Sequence, residues 1–170
     1  MRPLPVTYPA YFNNYIKLVP EDDIITGLIN QTSHAVKIFN SITEEQSKYR
    51  YDEDKWSIKQ ILQHISDTER IFCYRALAFA RKDQNILPSF DENSYANHSN
   101  ADQQQWAQLL EEFEAVRKST HALFRSFTPE QLHSSGKVSD YSICVLALAY
   151  TTIGHTTHHI NIIRERYLDV

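Results

Sequence analysis

The stretch Gly154-His155-Thr156-Thr157-His158-His159-Ile160 lies inside a long helical pattern, at about 142–167, and holds three of the eight histidines. His155 and His159 are four residues apart, a spacing that puts both rings on one face of an α-helix. Two imidazoles so placed can reach a single metal ion from one rigid element. By the same helical phase, His158 points away from them. We therefore expect the rest of the chain to bring a third ligand to this pair.

The composition is that of an ordinary globular chain. We treat residues 1–170 as a single domain, because this length is enough to bury a sizeable core. With 42% apolar residues and only three glycines, an all-α fold is favoured over an all-β one. A net charge of −4 gives no reason to expect a nucleic-acid partner. The longest apolar run, Ile143–Tyr150, is too short to span a membrane.

The two cysteines and the N-terminus indicate a cytoplasmic protein. Cys73 and Cys144 are far apart in the sequence and fall inside predicted helices, so they suggest neither a disulfide framework nor a CxxC motif. The first residues lack the apolar run of a signal peptide. A reduced, cytoplasmic location is the simplest expectation.

Apolar residues recur at helical spacing in four stretches, which predicts a four-helix bundle. The second stretch is the clearest, because Ser57-Ile58-Lys59-Gln60 has the pattern of a capping box at its start. Residues 1–20 hold four of the six prolines and are expected to form an extended arm packed through its aromatic rings. Lys82–Asn100 forms a long polar connection between helices two and three, and no convincing strand pattern is present. The four helices are placed at about 21–42, 57–81, 101–126 and 142–167.

The third metal ligand has to come from another helix, and helical phase leaves two candidates. His64 and His121 are both suitably placed, and His34 is poorer. His98 and His133 lie in connections and are expected at the surface. Three imidazoles that leave coordination positions open are typical of a catalytic metal site. The alternative is a hydrogen-bonded histidine cluster in the core, with no metal.

Two charged residues carry further functional predictions. Glu69 falls near the middle of the second helix's apolar stripe, where an unpaired carboxylate is costly. It is a candidate general base or a residue that orients a ligand histidine, and the alternative is a buried ion pair with Arg166 or Arg75. Arg166 lies beyond His159 on a similar face. It is a candidate for binding an anionic substrate group, or else it stabilises the helix end.

Three segments resemble the DinB-like superfamily, and within it most closely the YfiT-type metal-dependent hydrolases. The resemblance spans about 21–167, and the order and separation of the segments make the combination fairly specific. The segments are Trp56-Ser57-Ile58-Lys59-Gln60-Ile61-Leu62-Gln63-His64-Ile65-Ser66-Asp67-Thr68-Glu69, Pro88-Ser89-Phe90-Asp91-Glu92 and His155-Thr156-Thr157-His158-His159.

The resemblance implies a four-helix bundle of the DinB/YfiT type, commonly dimeric, with one divalent ion, zinc or nickel, on a histidine triad. The triad falls on His64, His155 and His159, which selects His64 over His121. Two enzyme classes are then implied: a hydrolase, or a transferase that activates a low-molecular-weight thiol. A small-molecule substrate is expected, but its identity does not carry over, because the same ligands serve different chemistries. The alternative is a non-catalytic, metal-stabilised dimerisation or binding module.

Overall fold

A computed structural model describes residues 1–168 of the chain. Four long helices form the predicted bundle. Of the four short helices in the described residues, three lie in the connections between the long helices and one lies in the N-terminal arm. Within the described residues the helices are α1 Asn13–Ile16, α2 Ile24–Phe39, α3 Glu44–Ser47, α4 Ile58–Ala80, α5 Glu92–His98, α6 Trp106–Arg125, α7 Pro129–His133 and α8 Val145–Ile163. The all-α bundle is thus confirmed.

Local side-chain bonds set the starts of the helices. The Ser57 hydroxyl accepts from the Gln60 amide, and the Gln60 side chain accepts from the Ser57 amide, so the capping box predicted for α4 is present. Helix α2 begins at Ile24, not near residue 21, because the Asp23 side chain caps the Thr26 amide. Helix α6 begins at Trp106, about five residues later than predicted.

Two short strands precede α8, and the sequence analysis missed them. Strand β1, Ser135–Val138, pairs antiparallel with strand β2, Tyr141–Cys144, through a two-residue turn at 139–140. Four-residue strands are too short to show a clear alternation of apolar and polar side chains. Helix α8 therefore starts at Val145 instead of 142. It ends at Ile163, and one wider π-helical turn, Arg164–Leu168, follows it.

Contrary to the prediction, the N-terminal arm is not extended. It folds into two 3₁₀ turns, Pro5–Thr7 and Ala10–Phe12, followed by α1. Its aromatic rings do pack onto the bundle, since Tyr8 and Phe12 are both buried. The arm runs so close to α8 that a Cβ at Gly154 would lie 2.1 Å from the carbonyl oxygen of Tyr15. Gly154 therefore permits the approach that brings Tyr15 beside His155.

The connection between α4 and α6 holds α5, whose N-cap is Asp91. Helix α8 is buried along most of its length and contributes to both apolar clusters of the core. Among residues 1–168, no helix has the length and apolar character needed to cross a membrane.

Candidate metal centre

The bundle brings three histidines to one point. His64 comes from α4, and His155 and His159 come from successive turns of α8. The Nε2 atom of His155 lies 3.1 Å from the Nε2 atoms of both His64 and His159. His121, the other candidate left open by helical phase, lies elsewhere, with its Nε2 3.4 Å from the Thr32 hydroxyl. His34 is exposed.

The spacing of these nitrogens fits a single metal ion. Nitrogen ligands about 2.0–2.1 Å from a tetrahedral ion lie ~3.3 Å from one another. A neutral imidazole nitrogen has one in-plane position, either a lone pair or an N–H. The Nε2 atom of His155 therefore cannot make good hydrogen bonds to both His64 and His159. A cation between the three nitrogens would satisfy all of them at once.

Burial keeps the three imidazoles neutral. His64 and His155 are 7% and 6% exposed, and His159 is half-buried. Burial lowers the pKa of His64 to about 4. It lowers the pKa values of His155 and His159 well below the ordinary range, with the neighbouring imidazoles adding to the effect. Neutral imidazoles have the free lone pair that metal binding requires.

Hydrogen bonds and ring packing orient the histidines. The Thr68 hydroxyl is 3.4 Å from Nδ1 of His64, so it can accept the Nδ1–H that remains when Nε2 is a ligand. The centre of the Trp56 ring lies 4.8 Å from the centre of the His64 ring, and the centre of the Tyr15 ring lies 5.4 Å from that of His155. These contacts restrict both rings to the orientation in which the Nε2 atoms converge.

The histidines open into a cavity of about 310 Å³. Its wall is largely aromatic, and it is formed by the N-terminal arm, α4, the segment before α5, strand β2 and α8. His158 belongs to the wall and is half-buried, so it does not point fully away into solvent as its phase predicted. The lining residues are Tyr11, Phe12, Tyr15, Trp56, His64, Thr68, Phe72, Arg75, Ser89, Phe90, Glu92, Tyr141, His155, His158 and His159.

Glu69 does not line this cavity. It is 2% exposed, and its Oε2 lies 2.9 Å from Nε of Arg117, although the N–H is not aligned for a hydrogen bond. The Thr120 hydroxyl donates to Oε1 at 2.5 Å. Burial raises the pKa of Glu69, and Arg117 and Thr120 partly offset that rise. A buried ion pair is therefore present, but with Arg117 in place of Arg166 or Arg75, the partners the sequence suggested.

Arg166 is also outside the cavity. Its guanidinium donates to the Tyr51 hydroxyl at 3.1 Å, lies over the Tyr51 ring, and is exposed. The structure thus gathers His64, His155 and His159, but it brings neither Glu69 nor Arg166 to them.

Sequence reasoning missed three further residues of the cavity wall, Arg75, Tyr15 and Tyr141. Arg75 follows His64 by eleven residues, three helical turns, so helical phase alone could have placed it on the same face of α4. Tyr15 lies in the N-terminal arm, which was predicted to be extended, and Tyr141 lies in the hairpin that was not predicted. No local sequence pattern indicates that either residue lines a cavity.

Comparison with known proteins agrees with this architecture. Among solved structures, YfiT from Bacillus subtilis, described as a probable metal-dependent hydrolase with an unusual four-helix bundle topology, is 17% identical with a TM-score of 0.68, over 99% of this chain and 93% of YfiT. The mycothiol-dependent maleylpyruvate isomerase is 9% identical with a TM-score of 0.69, over 85% of this chain and 61% of the isomerase. Identities this low show the fold alone.

No curated protein gave a significant match to the sequence. The model of the DinB superfamily matches residues 29–163, which is most of the chain. The chain belongs to the DinB superfamily.

Proposed function

We propose that this protein is a metal-dependent enzyme that binds one divalent ion through His64, His155 and His159 and acts on a small molecule in the adjoining cavity. The observation that carries the proposal is the convergence of the Nε2 atoms of three neutral imidazoles, two of them buried and one half-buried, beside a cavity of about 310 Å³. YfiT is described as a probable metal-dependent hydrolase, which supports the same reading.

Each residue around the ion would have a distinct task. A divalent ion held by three imidazoles with open positions acts as a Lewis acid and lowers the pKa of a water or thiol ligand toward neutrality. The Thr68 hydroxyl fixes the tautomer of His64. The rings of Trp56, Tyr15 and Phe72 keep bulk water from the histidines and so strengthen electrostatic interactions there.

Two reactions fit this arrangement: hydrolysis, and transfer of a low-molecular-weight thiol to an electrophile. The structural similarity to a mycothiol-dependent isomerase supports the thiol-transfer reaction as a candidate. An assay that offers an activated ester alone, and an electrophile with and without a small thiol, separates the two. Hydrolysis proceeds without the thiol, whereas transfer consumes it in equal amount.

Zinc or nickel is the ion we infer, because imidazole ligands suit both. A homodimer and a cytoplasmic location remain predictions. Tyr8 and Phe12 are buried against their own chain, so these two rings do not need a second copy of the protein to cover them. Tyr11 remains exposed. Light scattering tests the dimer, and a monomer at working concentration would contradict it.

The deciding experiment is the metal content of untagged protein purified without chelator, measured by mass spectrometry. We expect about one ion per chain in the wild type and none in His155→Ala. His158→Ala is the matched control, because His158 is the neighbouring histidine of the same helix and is not among the three that converge. Absence of bound ion in the wild type, even after incubation with zinc and nickel, would refute the proposal.

Chelation separates the enzyme from the non-catalytic alternative. An enzyme of this design keeps its fold without the ion, because two apolar clusters hold the bundle. A metal-stabilised module would unfold when the ion is removed. Circular dichroism before and after chelation distinguishes the two outcomes.

A further inference from the structure

Among the described residues, Arg75 is the one arginine or lysine that lines the cavity. It lies on α4 and is 3% exposed. One guanidinium nitrogen, Nη2, donates to the carbonyl oxygen of Pro88 at 2.8 Å. The guanidinium also lies over the ring of Phe90, 5.9 Å from its centre. These contacts hold the group in one orientation, while most of its five N–H donors make no hydrogen bond to residues 1–168.

Within the part of the chain that the structure describes, no acidic side chain neutralises Arg75. Among residues 1–168, no carboxylate oxygen lies within 4.0 Å of its guanidinium. The other fully buried arginine, Arg117, does have such a partner in Glu69. Buried charges are normally paired, because desolvation is costly. The cavity is therefore the place from which a counter-charge for Arg75 would come.

One carboxylate, Glu92, also lines the cavity and has to be considered as that counter-charge. It is exposed, and its oxygens lie beyond 4.0 Å from the guanidinium. Burial raises the pKa of the Tyr15 phenol most, the hydrogen bond with Tyr11 adds to the rise, and the Glu92 carboxylate contributes least. Glu92 lines the cavity, therefore, without forming an ion pair with Arg75.

Arg75 and the histidines lie at the two ends of one stripe on α4. His64, Thr68, Phe72 and Arg75 all line the cavity. Eleven residues of helix separate the Cα atoms of His64 and Arg75 by about 16 Å, and the arginine side chain leans back toward the start of the helix. The wall between the two ends is apolar and aromatic. A ligand that reaches both ends has to be elongated, with a polar group at each end.

We propose that Arg75 is the subsite for a carboxylate of the ligand, and that the substrate is an elongated molecule with an apolar body between this carboxylate and the group that reaches the histidines. This assignment rests on the proposed function and adds a substrate class to it. The planar guanidinium suits a carboxylate, to which it can donate two parallel hydrogen bonds. Tyr141, half-buried beside Arg75, closes the same end of the cavity.

The test compares suberic acid monohydroxamate with its methyl ester. Both carry the same metal-directed hydroxamate and the same apolar chain, and they differ only in the distal carboxylate. Affinities are measured by isothermal titration calorimetry on wild-type protein that has been stripped of bound metal by chelation, with and without zinc added back. We expect the zinc-loaded protein to bind the acid at least about tenfold more tightly than the ester.

Three variants locate the source of this preference. Arg75→Gln should reduce the acid-to-ester ratio to within about twofold of one and leave the affinity for the ester unchanged. Arg75→Lys should restore part of the ratio, because it keeps the charge but loses the planar fork. Arg81→Gln is the matched control: it removes an exposed arginine at the end of α4, outside the cavity, and should keep the wild-type ratio.

Equal affinity of the wild type for acid and ester, including failure of both to bind, would overturn the proposal, as would a preference that survives in Arg75→Gln. The wild-type comparison is decisive even if a variant does not fold. Zinc dependence is a separate readout. If zinc changes neither affinity but the acid is still preferred, the metal centre fails and the carboxylate subsite stands.

Discussion

Replacement of Glu69 by glutamine tests whether this residue supports the fold or reacts. The carboxylate and the Arg117 guanidinium are 2% and 1% exposed and lie 2.9 Å apart. A glutamine side-chain oxygen can still accept from Thr120, so the substitution removes charge with little change of shape. Arg117 is then left buried without a counter-charge. Removing one partner of a buried pair costs about 3–5 kcal/mol of unfolding free energy.

The assay is urea unfolding followed by tryptophan fluorescence, for the wild type, Glu69→Gln, Arg117→Met and the double variant. Arg117→Met leaves a buried carboxyl whose pKa is already raised, so it can take up a proton, and its cost should be smaller at lower pH. The double variant removes both charges and should recover at least about 1 kcal/mol relative to the sum of the single effects. Single effects below about 1 kcal/mol that simply add would refute a coupled buried pair.

Three further perturbations follow from the same structure. Gly154→Ala should destabilise the protein by about 1–3 kcal/mol, because the added Cβ would lie 2.1 Å from the Tyr15 carbonyl oxygen. Urea unfolding that showed a higher unfolding free energy, as glycine-to-alanine changes in helices usually give, would contradict this contact. Ser57→Ala should cost about 1 kcal/mol through loss of the α4 cap, as measured by thermal melts, and an unchanged melting temperature would count against it. The metal-free protein should lose stability as the pH falls from about 6.5, the ordinary histidine value, to about 4, the folded-state pKa of His64, because the unfolded chain binds more protons across that window. His64→Leu should flatten this part of the pH profile, and an equally steep profile in that variant would be inconsistent with the burial of His64.

Helical periodicity was sufficient to predict the bundle and to reduce the number of candidate metal ligands. His155 and His159 are fixed relative to each other by a single helix, so their spacing follows from the sequence. Phase alone left His64 and His121 open, because the relative rotation of two helices depends on packing along their whole length. The family resemblance selected His64, and the structure places that residue beside the other two.

The errors lie where tertiary contacts decide the local conformation. The hairpin before α8 has four-residue strands and forms against Leu87, a residue distant in sequence. The predicted partners of Glu69, Arg166 and Arg75, were wrong, because the buried arginine opposite Glu69 lies on α6. Arg117 follows Phe113 by four residues and so lies on the apolar face of α6, where a buried cation indicates a buried anion opposite. That signal was available in the sequence.

The geometry of α4 separates the roles of His64 and Glu69. Five residues rotate a helix by about 500°, so the two side chains leave α4 about 140° apart. His64 faces α8 and the cavity, while Glu69 faces Arg117 and Thr120 on α6. Arg117 in turn donates to the Thr156 hydroxyl, next to His155 in α8. We infer that the pair fixes α6 against α4 and α8 at the level of the histidines. On this view Glu69→Gln should weaken the fold and still retain the ion, whereas loss of the ion from folded Glu69→Gln protein would mean that the carboxylate acts on the metal site itself.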